Sequence, residues 1–189
     1  MTDLIDTLRG LCNAGTNDAT IGTTAYFSDT HIQTALDRYQ TRIIREPLLA
    51  IETYAGAGTI TYLEYQSGNQ NWESGTARFK VEDATGAEIG TSSYTADYVN
   101  GVITFTSDQA GSSRILSGYI YDVNAAAADI WRMKAAHVAT GVDFATDNMR
   151  VNRGNLEDKY LKMAGYYASM ANARVMTLGR DDSTIFGEL

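Results

Sequence analysis

The sequence contains few residues that cross-link a chain or bind metals. Among its 189 residues are one cysteine, Cys12, and two histidines, His31 and His137. A single cysteine excludes an intrachain disulfide and a thiolate metal cluster. Neither histidine has a second histidine or a cysteine at zinc-ligand spacing. We therefore predict no metal site and no cofactor, and interpret Cys12 as a small, semi-buried residue of the first helix.

Long apolar runs and nucleotide-binding motifs are also missing. No apolar stretch approaches the roughly 20 residues of a membrane span, and the first residues lack the basic and apolar regions of a signal peptide. No Gly-x-Ser-x-Gly elbow, dinucleotide fingerprint or Walker-type Gly-Lys-Ser/Thr is present. We expect a protein that is made in the cytoplasm, stays soluble and contacts no membrane.

Basic residues are outnumbered by acidic ones. The chain has 15 Lys and Arg against 23 Asp and Glu, for a formal net charge of -8, and its pI is about 4.7. This balance argues against affinity gained by neutralising phosphates or anionic lipid headgroups. With 44% hydrophobic residues, the chain is long enough to bury a core.

The hydrophobic period changes along the chain. In residues 27–45 and 122–175 apolar residues recur at threes and fours, whereas in residues 59–121 they alternate by twos. The first helical stripe is expected to reach Ile43 and to end at Pro47, the only proline. The last helix is expected to bury one apolar seam, formed by Leu156, Tyr160, Met163, Tyr167 and Met170.

The middle of the chain has the composition of a sheet. Residues 59–65, 77–82, 102–106 and 115–121 are rich in β-branched and aromatic side chains. Asn100-Gly101 is typical of a tight hairpin turn between two alternating segments. We predict an α+β fold in which an α-helical bundle holds an inserted small antiparallel β-module, sandwich or barrel-like.

This organisation divides the chain into four parts. Residues 1–50 are assigned to the N-terminal helices of the helical domain and residues 51–121 to the inserted β-module. Residues 122–176 are assigned to the C-terminal long helices, and residues 177–189 to an extended C-terminal tail.

Two features point to partner binding. Trp72 lies in a Gly- and Asn-rich loop that we expect to be exposed, where it either contacts a protein partner or packs on the sheet. In the tail, Ile185, Phe186 and Leu189 form an apolar tip on a polar tether. Such a tip gains stability only by docking, commonly on a neighbouring chain.

The β-module contains residues for two other kinds of site. Its carboxylates, interpreted as solvated charges, would support a hydrolase only if two faced each other across roughly 5 to 9.5 Å. Its aromatic residues fit either sheet packing or a sugar-binding platform around Trp72. The carboxylates are Glu64, Glu73, Glu82, Asp97 and Asp108, and the aromatic residues beside Trp72 are Tyr62, Tyr65 and Tyr94.

Several sequence segments resemble those of head-to-tail adaptor (connector) proteins of tailed bacteriophages, and the resemblance spans nearly the whole chain. They are FSDTHIQTALDRY at 27–39, YLEY at 62–65, DYVNGVITF at 97–105 and YDVNAAAADIW at 121–131. The resemblance implies a non-enzymatic protein of the virion neck, made in the host cytoplasm. It implies a helical bundle assembled as a ring homo-oligomer, twelve-fold in this family, beneath the portal.

The resemblance also implies the partners. The ring would bind the portal protein and the next neck or tail-completion protein, and DNA would pass through it without specific binding. An acidic lumen suits such passage, because it does not bind phosphates tightly. The alternative is a virion decoration or fibre-like module that recognises carbohydrate through Trp72 and neighbouring tyrosines.

Overall fold

Helices lie at both ends of the chain. The computed structural model describes residues 2–15, 20–21, 24–25, 27–55, 58–75, 78–139, 144–146, 149–151 and 153–171. In these ranges the helices are α1 (Thr2–Cys12), α2 (Asp29–Asp37), α3 (Val123–Ala139) and α4 (Arg153–Met170). Two small antiparallel ladders accompany them: β1 (Thr20–Ile21) with β2 (Thr24–Ala25), and β9 (Phe144–Thr146) with β10 (Met149–Val151).

A six-stranded sheet occupies the middle of the chain. Its strands are β3 (Gln40–Ala55), β4 (Thr59–Gln66), β5 (Lys80–Asp83), β6 (Tyr94–Asp97), β7 (Val102–Phe105) and β8 (Arg114–Tyr121). They lie in the order β5-β8-β3-β4-β7-β6, and every neighbouring pair is antiparallel. The result is a mixed fold with a half-barrel sheet.

The predicted α-helical bundle is wrong. The helical stripe does not reach Ile43, because α2 ends at Asp37 and β3 begins at Gln40. Thr41, Ile43 and Ile44 are β-branched, and such side chains suit a pleated strand better than a helix. The helical spacing of apolar residues that reaches Ile43 covers too few residues to outweigh the pairing of this segment with β8.

Pro47 lies inside a strand rather than at the end of a helix. β3 pairs with β8 from Gln40 to Leu48 and with β4 only from Leu49 onward. At Pro47 the strand therefore has one paired neighbour, and a shift of register precedes it between Ile43 and Glu46. Proline is tolerated in such edge-like positions because it has no N–H to donate. The same strand runs across residue 50, where the sequence suggested that the first helical part ends.

Two clusters of buried side chains stabilise the fold. One lies around α3, where α1, α2 and α4 all pack. Its largest fully buried members are Leu4, Leu8, Ile32, Leu36 and Ile130. The other lies on one face of the sheet. Its largest fully buried members are Tyr65, Trp72, Val81, Ile103 and Leu116.

The predicted hairpin between β6 and β7 is confirmed, although its turn is longer than expected. Tyr94 pairs with Phe105 and Asp97 with Val102, which leaves residues 98–101 as the turn. Only Gly101 of these four has a positive φ, at 73°. A Cβ on Gly101 would collide with the carbonyl oxygen of Asn69. Glycine is therefore required here by both conformation and space.

The seam predicted on α4 is buried only in part. Tyr167 is buried, Tyr160 and Met163 are partly buried, and Leu156 and Met170 are exposed. This follows from packing on one side only, because α4 lies mainly against α3. Among the helices in the described ranges, none combines the length and apolarity that crossing a membrane requires.

Candidate functional site

The structure places Trp72 inside the molecule. Its side chain is 0% exposed, and its ring centroid lies 5.3 Å from that of Phe79. Its backbone N–H donates to the carbonyl of Tyr98 at 2.7 Å, and the residue forms a bridge with Ile120. These bonds fold the polar loop against the sheet. The expected exposure of Trp72 is therefore wrong, and packing on the sheet is the correct interpretation.

The neighbouring tyrosines do not form a surface platform around it. Tyr65 and Tyr94 are buried in the sheet cluster, where both make edge contacts with Phe105. The Tyr65 hydroxyl donates to the carbonyl of Ser112 at 2.9 Å. A sugar ring would need accessible aromatic faces, and these side chains do not offer them.

The five β-module carboxylates have separate local environments. Glu73 lies 3.7 Å from Arg78, and Glu82 lies 3.1 Å from Arg45. Glu64 is exposed. Within the described ranges, no group of three or more His, Cys, Asp or Glu side chains is placed to hold a metal ion.

The remaining two carboxylates stabilise turns. Hydrogen bonds from the side chain and backbone N–H of Asn100 hold the pKa of Asp97 below its usual range. Backbone N–H groups of Tyr62 and Ala110 do the same for the pKa of Asp108. Both carboxylates thus act as hydrogen-bond acceptors for the backbone of their turns.

Cys12 lies on α1, as the sequence suggested, but it belongs to the helical cluster and is more deeply buried than expected. It is fully buried, and desolvation raises the pKa of its thiol to about 12, although the nearby Lys134 charge opposes this. The Lys134 ammonium donates to the carbonyl of Asn13 at 2.6 Å. It also lies over the rings of Phe27 and Trp131. A thiol in this environment is a packing group rather than a nucleophile.

The apolar tip of the tail lies outside the described residues. The docking role of Ile185, Phe186 and Leu189 therefore stays a prediction.

A two-stranded hairpin projects from the sheet. β3 has only β4 as its neighbour from Leu49 onward. β4 in turn pairs with β7 only from Glu64 to Gln66. Residues 51–55 and 59–63 consequently have no third strand beside them within the described chain. An isolated two-stranded hairpin is only marginally stable in water, so such a projection gains from contact with another surface.

One face of this hairpin is apolar and acidic. Tyr54 and Ile60 are directly opposite in register, and they are 74% and 38% exposed. Glu52 lies two residues before Tyr54, and Tyr62 two residues after Ile60, so all four share a face. The Tyr62 hydroxyl donates to Glu52 at 3.1 Å, which raises the pKa of Tyr62. We call these four residues the hairpin face.

A second exposed surface lies on α4. Ala164 and Tyr167 are buried, and the Tyr167 hydroxyl donates to the carbonyl of Leu11 at 3.1 Å. These contacts fix which side of the helix faces inward. The helix stripe is the exposed row at spacings of three, four and four: Lys159, Lys162, Tyr166 and Met170.

The helix stripe is basic at one end and apolar at the other. Tyr166 is 56% exposed and Met170 is 40% exposed. Neither Lys159 nor Lys162 forms an ion pair with another residue that the structure describes. Exposed apolar side chains that adjoin charged ones are typical of contact surfaces.

The sequence interpretation missed both surfaces. Glu52 and Tyr54 fall where a helical part was expected to give way to the β-module, so their alternation was not recognised as a strand. On α4, the predicted buried seam includes Met170, which is exposed, and leaves out Tyr166. A helical projection centred on Tyr167 would have placed Lys159 and Tyr166 on the flank of the helix, about 80° and 100° away, and Lys162 about 140° away toward the outer side.

Comparison of the chain with protein-family models, with known curated proteins and with solved structures finds no match. Evidence about function therefore comes from the chain itself, from its surfaces and its sequence.

Proposed function

We propose that this chain is a structural virion protein: a head-to-tail adaptor that forms a ring beneath the portal. The ring joins the capsid vertex to the neck or tail and lets DNA pass. The observation that carries the proposal is the pair of exposed surfaces, the hairpin face and the helix stripe, on elements far apart in sequence. Covering apolar surface is energetically favourable, because it removes that surface from water. Two different patches per chain suit a ring.

The sequence segments that resemble phage adaptor proteins also support this function. The helical bundle that the resemblance implies is not part of the proposal, because the structure of this chain does not indicate a bundle. Adaptor rings are defined by how copies contact each other and their neighbours, and a sheet-containing subunit is able to make such contacts. In this proposal the chain is not an enzyme and is located in the virion neck.

The charge of the chain suits passage of DNA. A net charge of -8 disfavours tight phosphate binding along a channel. The partners proposed are further copies of the chain, the portal protein, and the next neck or tail-completion protein. Ile185, Phe186 and Leu189 are proposed to dock on one of these neighbours.

The test is the mass of the purified chain in solution, measured by light scattering, together with its shape in electron micrographs. We expect a closed ring of about twelve copies of the 20.6 kDa chain, with a channel wide enough for duplex DNA. A monomer, or an open assembly of indefinite length, would contradict the proposal.

A second sample, truncated before Thr177, tests the tail. Loss of the ring in this sample would assign the tail to assembly. A ring that persists would overturn the docking role proposed for Ile185, Phe186 and Leu189.

A further inference from the structure

We infer that the hairpin face of one copy of this chain binds the helix stripe of the next copy. This inference rests on the proposed function and names the contact between its subunits. Each surface presents a pair of large exposed side chains: Tyr54 and Ile60 on the hairpin, and Tyr166 and Met170 on α4. The hairpin face carries Glu52, and the helix stripe carries Lys159 and Lys162.

The charges are complementary. Residues 49–66 contain Glu52 and Glu64 but no Lys or Arg. Asp108 lies beside this segment and accepts the backbone N–H of Tyr62 at 2.9 Å. The helix stripe opposes Glu52 with Lys159 and Lys162, a basic pair in a chain of net charge -8. Complementary patches favour association and fix its register.

The spacing of charge and apolar surface is similar on the two elements. On the strand, Glu52 and Tyr54 are two residues apart, or about 7 Å. On the helix, Lys162 and Tyr166 are four residues apart, or about 6 Å. When the Tyr54 ring packs against Tyr166, Glu52 is thus brought level with Lys162.

The same charges disfavour contacts between like surfaces. Two hairpin faces would bring glutamates together, and two helix stripes would bring lysines together. Like-charge contacts oppose association. The favourable arrangement pairs two different patches. A pair of copies therefore still has one free hairpin face and one free helix stripe, to which further copies bind. Such a head-to-tail contact produces a ring when the rotation closes.

The experiment reverses the charge of each surface separately. In Glu52→Lys the hairpin face becomes basic, and in Lys162→Glu the central charge of the helix stripe becomes acidic. We expect each variant alone to assemble only at a protein concentration raised by more than about tenfold. Light scattering over a concentration series gives this value, and circular dichroism checks that each variant is folded.

Mixing the two variants provides the decisive measurement. In the mixture, the lysine at position 52 of one variant meets the glutamate at position 162 of the other, and the wild-type pair also forms. We expect assemblies to reappear near the wild-type concentration. A contact between two hairpins would instead leave Lys162→Glu unaffected on its own, and a contact between two α4 helices would leave Glu52→Lys unaffected on its own.

Matched controls separate this contact from a general effect of charge. Glu64→Lys makes the same charge change on the same hairpin, but Glu64 pairs with Ile51, beyond the shift of register between Ile51 and Thr53, and therefore lies on the face opposite Glu52. Arg42→Glu matches the loss of a basic residue at an exposed position of β3. Both controls are expected to assemble like the wild type.

The outcomes distinguish this inference from the proposed function. A wild-type ring that is unaffected by either reversal, or variants that fail to rescue each other, would overturn the inference and leave the adaptor function intact. An open assembly that responds to the reversals would support the contact and contradict the ring. A wild-type monomer at all concentrations would overturn both.

Discussion

Shortening Trp72 tests whether it is a core residue. The side chain is 0% exposed and packs against Phe79 and the strands that surround it. Removing a buried Trp side chain typically costs about 3 to 5 kcal/mol, because contacts are lost and a cavity remains. We expect Trp72→Ala to lower the free energy of unfolding by about this amount. Total domain stability is often about 5 to 15 kcal/mol, so this variant will be at best weakly stable.

Replacement by phenylalanine provides the second arm of the test. The indole Nε1 of Trp72 is buried and has no hydrogen-bond partner among the described residues. A buried unsatisfied donor costs about 1 to 3 kcal/mol, and Trp72→Phe removes that cost along with some packing volume. The two effects oppose each other, so we expect Trp72→Phe to lose less than half as much stability as Trp72→Ala.

The assay is urea unfolding followed by circular dichroism at one fixed protein concentration, because assembly also stabilises folded chains. A loss below about 1 kcal/mol for Trp72→Ala would refute the core assignment. Equal losses for the two variants would refute the argument about the unsatisfied indole. A partner-binding Trp would behave differently: the alanine variant would keep its stability and lose assembly.

Four further outcomes are expected. Gly101→Ala should lose more than about 1 kcal/mol in urea unfolding, because the added methyl meets the carbonyl oxygen of Asn69 at a positive φ. Gly165→Ala, in the open middle of α4, should instead gain up to about 1 kcal/mol. Cys12, whose pKa is raised to about 12, should resist a thiol reagent at pH 8 and react fully in urea; rapid labelling of the folded chain would contradict its burial. The pKa of Asp97 is lowered in the folded state, so its contribution is present above its unfolded pKa and is lost as pH falls through the folded value. The stability gap between wild type and Asp97→Asn should therefore narrow between pH 7 and pH 3, and a gap that widens would contradict the assignment.

The strands of the β-module were largely predictable because their pattern is local. The segments at 59–65 and 115–121 lie in β4 and β8, and Tyr94 does pair with Phe105. Alternation over several residues, bounded by turn-forming residues, requires no knowledge of the rest of the fold. The α3 and α4 segments were likewise visible from helical spacing and alanine content.

What could not be predicted depends on contacts distant in sequence. Trp72 is surrounded by residues typical of loops, yet its backbone is held by Tyr98 and its ring by Phe79. Neither contact is encoded in the residues next to it. Similarly, Gln40 to Leu48 became a strand because β8 lies beside it, about 70 residues further along the chain.

The segment whose structure was predicted incorrectly is also the one that produces the candidate surface. A helix continuing to Ile43 and ending at Pro47 would have left no strand to extend beyond the sheet. Instead, β3 pairs with β8 as far as Leu48 and with β4 from Leu49 onward. Its second half therefore continues with a single neighbouring strand. Tyr54 is exposed because this half has left the sheet core. The departure from a helical bundle and the proposed contact between copies thus have one structural cause, the length of β3.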